Sequence, residues 1–210
     1  MSRFEYVAGF ILAGGPSSRM GRDKALLEIA GVPLLARTAR LLEPLVGSVT
    51  VVGSASRYAA LGLAVVDDDQ PGQGPLGGMA TALRISACDW NLVVACDLPY
   101  LNAPWLRYLI ARAIRSGADA LLPVSFDEVF ERFEPLCAMY HRRCLPAILT
   151  SLERGIRKVT DGLRGPPAAA IERIEPEEWK PFDSAGGLFK NMNTPADYQE
   201  AQARLGGATP

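Results

Sequence analysis

The chain has 210 residues, 49% hydrophobic and 21% charged, with a formal net charge of -1 at pH 7. That length suits one domain with a real core, residues 1–210, and the charge balance supplies no field that would draw it to nucleic acid or an anionic membrane. No apolar run is long enough to cross a bilayer, and Glu5 stands where a signal peptide would be apolar, so a cytoplasmic protein is expected.

The first strand is expected over Tyr6–Leu12, an apolar run that leads straight into L-A-G-G-P-S-S-R-M-G-R-D-K, Leu12 to Lys24. Glycines let the backbone come close to a ligand, and their N–H groups can cradle phosphate oxygens. Two fixed cations, Arg19 and Lys24, would neutralise what those groups surround. The loop therefore points to a nucleoside triphosphate. It is not a Walker A loop, because five residues separate Gly15 from Gly21 and no hydroxyl follows Lys24. Nor does it have the G-x-G-x-x-G spacing of a dinucleotide-binding turn.

Pro33 can open a helix, and Leu34, Leu35, Thr38, Leu41, Leu42 and Leu45 then form a helical stripe. Strands are expected over Ser48–Val52 and Ala64–Val66, the latter followed by Asp67, Asp68 and Asp69. A loop from Gln70 to Gly78 comes next, then a helix from about Met79 to Ser86. Gly72 to Gly77 formally matches G-x-G-x-x-G. Three preceding carboxylates and the missing donor of Pro75 nonetheless disfavour a pyrophosphate there. Close backbone approach at Gly77 and Gly78 to a base or ribose explains the glycines better.

A strand over Asn91–Ala95 ends at Cys96-Asp97. A strand-end carboxylate suits a hard cation, and Mg²⁺ typically takes one or two carboxylates plus phosphates. Trp105–Ile114 reads as an amphipathic helix. Strands follow over Asp119–Val124 and Leu136–Tyr140, then a helix over Pro146–Arg154 and a weaker strand over Ala169–Ile174. Asn191 and Asn193 alternate on an extended segment and so face one side. Thr194-Pro195 reads as the cap and first residue of a closing helix to about Leu205.

Strands alternating with helices predict a three-layer α/β domain, a mostly parallel sheet with helices on both faces. Ligands in such sheets sit beyond the carboxyl ends of the strands, where the Leu12–Lys24 loop, Asp67–Asp69 and Asp97 all fall. The four cysteines form no C-x-x-C pair and are expected to be reduced and mostly buried. Cys137, His141 and Cys144 lie close together but lack a fourth zinc ligand. The sole histidine has no nucleophile elbow to serve, and no nucleophilic cysteine is apparent. A substrate phosphate acting as nucleophile needs neither; it needs positioning, a metal and fixed cations.

The chain resembles the molybdenum cofactor guanylyltransferases, the MobA-like nucleotidyltransferases, over nearly its whole length. The marks are the Leu12–Lys24 loop, G-P-L-G-G at Gly74–Gly78, C-D-L-P-Y-L at Cys96–Leu101, E-P-L-C-A-M-Y at Glu134–Tyr140 and N-M-N-T-P-A-D at Asn191–Asp197. The resemblance implies a Rossmann-like nucleotidyltransferase fold and transfer of GMP from GTP to the terminal phosphate of molybdopterin, with Mg²⁺ and release of pyrophosphate. It implies that Leu12, Ala13, Gly14, Gly15 and Lys24 bind GTP, that Asp68 contacts the nucleotide and that Asp97 ligates Mg²⁺. Arg19, Lys24 and Asp97 would be the catalytic groups, and Asn191 and Asn193 would face the pterin. Family members often carry Asn where Gly53 stands, so a nucleoside contact there is lost, or supplied by Ser54 or a backbone group.

Guanine offers two adjacent donors, which one carboxylate such as Asp68 can accept, whereas cytosine offers a donor beside an acceptor. GTP is therefore expected over CTP. A molybdopterin cytidylyltransferase, a sugar-phosphate nucleotidyltransferase and a non-catalytic nucleotide- or pterin-binding homologue are the alternatives. Cofactor-delivery or acceptor proteins are further expected partners that no residue here identifies.

Overall fold

The structure is a computed structural model that describes residues 3–14, 23–127, 130–184 and 186–206. Its frame is a sheet whose central strand, β1 (Phe4–Leu12), pairs in parallel with β4 (Val46–Val52) on one side and β6 (Trp90–Ala95) on the other. Between β1 and β4 lie a two-residue-per-arm hairpin, β2 (Glu28–Ile29) and β3 (Val32–Pro33), and helix α1 (Leu34–Leu42). After β4 come the short α2 (Ala55–Tyr58), β5 (Val65–Val66) and α3 (Gly74–Ile85). After β6 come α4 (Ala103–Ile114), β7 (Ala120–Asp127), β8 (Phe130–Phe133) and β9 (Cys137–His141). The chain closes with α5 (Leu145–Glu153), α6 (Val159–Arg164), β10 (Ile171–Ile174), α7 (Pro176–Trp179) and α8 (Pro195–Leu205).

The sheet order is β10-β7-β9-β6-β1-β4-β5, with β8 paired to β7. Strands β9 and β8 run antiparallel to their neighbours, and the other pairings are parallel. The mostly parallel, helix-covered sheet expected from the sequence is therefore observed. Central strands such as β1, β6 and β9 are mostly buried and read as continuous apolar runs, and the expected strand positions hold to within a few residues. Val7, Ile11, Leu92 and Val94 pack with α1 and α4 residues such as Leu35 and Trp105. Ala8, Phe10 and Val93 face the other way, onto Leu76, Met79 and Leu83 of α3 and Ile148 of α5. A small third cluster of Ile29, Leu34, Met192 and Ala201 seats α8 against the hairpin.

One boundary is corrected. The segment Gly74–Gly78 is the start of α3, so the helix begins five residues before the expected Met79. The glycines there disguise a helix because they answer to packing. A Cβ on Gly77 would lie 2.7 Å from the Gln70 carbonyl oxygen, and Pro75 falls in the first turn, where no N–H is required. Strand β8, the β2–β3 hairpin, α2, α6 and α7 were not foreseen; each is too short to show periodicity. The closing helix matches the expected Pro195–Leu205, with Thr194 and Asp197 forming a capping box. Cys96, Cys137 and Cys144 are buried free thiols and Cys88 is half-buried. Among the described residues no helix is long and apolar enough to cross a membrane.

Candidate active site

The parallel strands end side by side. Leu12 is in register with Val52 and with Ala95, and Val52 with Val66. Past these ends the backbone stays stitched: Ala13 N–H donates to the Val52 carbonyl at 2.9 Å and Gly53 N–H to that of Val66 at 2.9 Å. A cleft of about 670 Å³ opens there, a size suited to a nucleotide.

Lys24, Asp97 and Asn193 meet at this edge. Lys24 Nζ donates to Asn193 Oδ1 at 2.5 Å and lies 3.5 Å from Asp97 Oδ2. Three separate segments place them. Lys24 opens a single 3₁₀ turn whose next residue, Ala25, is buried as an anchor. Asp97 follows β6, directly after buried Cys96. The C-terminal segment is pinned by buried Leu188, Phe189 and Met192, and Met192 N–H donates to the Asp97 carbonyl at 2.9 Å. Burial lifts the Asp97 carboxyl above its ordinary range, and the Lys24 ammonium pulls it part of the way back. The Cys96 thiol is pushed up to about 12 by burial and the nearby carboxylates, so it is inert as a nucleophile.

The structure separates the three aspartates. Asp67 Oδ1 accepts from Ala55 N–H at 2.9 Å and so supports the start of α2. Asp69 pairs with Arg84 on the exposed side of α3. Asp68 is half-buried on the cleft wall, where its Oδ1 accepts from Gln70 N–H at 2.9 Å and lies 2.9 Å from the Thr81 hydroxyl. The Thr81 hydroxyl has one proton and is nearer still to Asp69 Oδ1, at 2.6 Å, so the Gln70 N–H is the partner that holds Asp68 Oδ1, and Asp68 Oδ2, without a hydrogen bond among the described residues, is left for a ligand.

Leu12, Ala13, Gly14, Gly53 and Gly78 line the same cleft as Lys24, Asp68 and Asp97. Gly77 points instead at Gln70 and Gln73. At Gly53 a Cβ would fall 2.1 Å from the Ala13 carbonyl oxygen and 3.0 Å from the Tyr58 ring. A side chain such as asparagine at this position has no room in this backbone. Ser54 lines the cleft next to it, its hydroxyl 3.1 Å from that of Ser56. Asn191 is half-buried, and its side chain makes no hydrogen bond among the described residues. Arg19 and Gly15 lie outside the described residues.

Two groups were missed. Asp23 accepts from Ala25 N–H at 3.1 Å, from Arg57 Nη1 at 3.1 Å and from the Tyr58 hydroxyl at 3.0 Å. Its signal in the sequence was only its place beside Lys24. Glu134 is buried, bonded by the Ser125 hydroxyl at 2.5 Å and by Arg132. Burial raises its carboxyl above the ordinary range, against the pull of those two partners.

Residues 9–168 match the MobA-like NTP transferase domain family. A protein of Pelotomaculum thermopropionicum named "Probable molybdenum cofactor guanylyltransferase" is 34% identical, covering 92% of this chain and 91% of its own. The "Molybdenum cofactor guanylyltransferase" of Serratia proteamaculans is 32% identical over 96% and 97% of the two chains. The crystal structure of "Molybdopterin-guanine dinucleotide biosynthesis protein A" from Archaeoglobus fulgidus superposes with a TM-score of 0.80 at 25% identity, covering 94% of this chain and 97% of that one.

Proposed function

The chain belongs to the MobA-like NTP transferase family, and from that premise we propose that it transfers GMP from GTP to the terminal phosphate of molybdopterin. A phosphate oxygen of the pterin forms a bond to the α-phosphorus of GTP while the bond from that phosphorus to the bridging oxygen breaks, and pyrophosphate leaves. The observation that carries the reading is the meeting of Lys24, Asp97 and Asn193 at the strand ends, midway along the carboxyl edge of the sheet. GTP would lie over β1, β4 and β5. The pterin would lie on the other side of Asp97, toward Asn191 and Asn193.

Lys24 would neutralise charge on the triphosphate and on the departing pyrophosphate, and Gly14 and the backbone after Leu12, which line the same cleft, would offer amide contacts. Arg19 would add a second cation. The attacking phosphate is anionic at neutral pH, so no general base is required. Asp97 fits Mg²⁺: it is a mostly buried carboxylate whose charge is met by one ammonium at 3.5 Å, and phosphate oxygens would complete the shell. When bound, the ion would screen the phosphate oxygens and favour in-line displacement. Asp68 Oδ2 would accept from the guanine edge. A soluble, cytoplasmic setting suits these substrates.

The test is pyrophosphate release on mixing the protein with Mg²⁺, GTP and molybdopterin, repeated with CTP, ATP and UTP. Release with GTP and molybdopterin together supports the reading. Release with CTP alone among the four, or none at all, overturns it.

A further inference from the structure

Asp23 presents a difficulty for a site that receives a polyanion. Its carboxylate lines the cleft and its side chain is only 19% exposed. A negative charge held there repels a triphosphate, unless it performs a task that outweighs the repulsion. Its surroundings show that task. One oxygen caps the 3₁₀ turn by accepting from Ala25 N–H, which fixes the residue in between, Lys24. The other accepts from Tyr58 and Arg57, and so ties Asp23 to α2 across the cleft wall.

Tyr58 is rigid enough to serve as the fixed point. It is 1% exposed, and its ring fills the space that a side chain at position 53 would need. Arg57 is 58% exposed and lines the mouth of the same cleft, held there by the 3.1 Å ion pair. The glycine at 53, the tyrosine ring behind it and the carboxylate ahead of it form one packed unit.

We propose that Asp23 is a positioning residue of the nucleotide site. It sets Lys24 through the turn cap, and it presents Arg57 as an additional cation for the phosphates of a nucleoside triphosphate. The inference rests on the nucleotidyltransferase reading above but is separable from it.

The test is calorimetric titration of GTP with Mg²⁺ into the parent, Asp23→Asn, Asp23→Ala, Arg57→Ala, Lys24→Ala and the Asp23→Ala/Lys24→Ala double variant. Simple electrostatics predicts that removing a negative charge tightens triphosphate binding. Positioning predicts the opposite sign: about tenfold weaker binding for Asp23→Ala, a smaller but definite weakening for Asp23→Asn, which keeps the turn cap but not the Arg57 ion pair, and a weaker site for Arg57→Ala. The double variant should lose clearly less than the product of the two single losses, because part of what Asp23 does passes through Lys24. Asp23→Asn retains an oxygen for Ala25 N–H, so it guards against a misfolded Asp23→Ala. Unchanged or tighter binding in Asp23→Asn, or losses that simply multiply in the double variant, overturns the proposal while the parent still binds GTP. A parent that binds no triphosphate overturns both readings together.

Discussion

Lys24 and Asn193 are 169 positions apart, yet the lysine ammonium donates a 2.5 Å hydrogen bond to the side-chain oxygen Oδ1 of the asparagine. The contact closes the chain on itself across the active edge, between a loop that follows the first strand and a segment that precedes the last helix. Asp97 stands beside the pair and receives the backbone of the same C-terminal segment through Met192.

Lys24→Ala removes the described cation nearest Asp97 and should lower turnover by about a hundredfold or more, since the contact strengthens as charge moves onto the leaving pyrophosphate. Steady-state kinetics at saturating GTP checks it. Near-normal turnover would remove Lys24 from the mechanism.

Asn193→Ala should cost more than Asn191→Ala, because only Asn193 bonds to Lys24. The loss should appear first in the apparent requirement for molybdopterin. A larger effect from Asn191→Ala, or a loss confined to GTP, would place the pterin elsewhere.

Asp97→Asn should keep the fold, since the Asp97 carbonyl that holds Met192 is untouched. Mg²⁺ dependence should move to higher concentration, because a neutral amide is a poor ligand for a hard cation. A metal titration of activity that superimposes on the parent's would rule Asp97 out as the ligand.

Asp68→Ala should flatten the preference for GTP over CTP. One free oxygen instead of two places the expected discrimination toward the lower part of a range of about 1–3 kcal/mol. Competition between the two triphosphates measures it. A variant that discriminates as sharply as the parent would assign base reading to another group.

Asp119 offers a test of stability rather than chemistry. Partial burial would raise its carboxyl, but bonds from Arg143 and the Ala170 N–H outweigh that and hold it below its ordinary value of 3.8. A depressed folded pKa contributes stability above the unfolded value and loses it as pH falls through the folded one. Asp119→Asn should therefore cost about 1 kcal/mol at neutral pH, a modest figure because Arg143 is half exposed. The gap should close below about pH 4. A gap that is constant from pH 7 to pH 3 would mean that charge plays no part.

What the sequence determined by itself was the layer architecture and the edge on which the chemistry falls. Runs such as Val7–Leu12 and Leu92–Ala95 bury both faces of a strand, so their apolar character is local and continuous, and the features that follow them must sit at strand ends. The helix cap at Thr194 was also legible, because cap chemistry lies within four residues, although its reciprocal partner Asp197 emerged only in the structure. Composition pointed the other way at Gly74–Gly78, where glycines chosen for close packing against Gln70 and Leu12 read as a loop. Only the tertiary structure decided how the three aspartates divide their work, since their partners Ala55, Thr81 and Arg84 lie on two helices whose placement depends on the packed sheet. It alone brought Asn193 to Lys24, and it alone showed that the Ala13 carbonyl and the Tyr58 ring leave no space for a side chain at Gly53. Local patterns specify elements because backbone hydrogen bonding and periodicity act over a few residues. Side-chain partnerships across the sheet edge depend on distances that exist only once the core has formed.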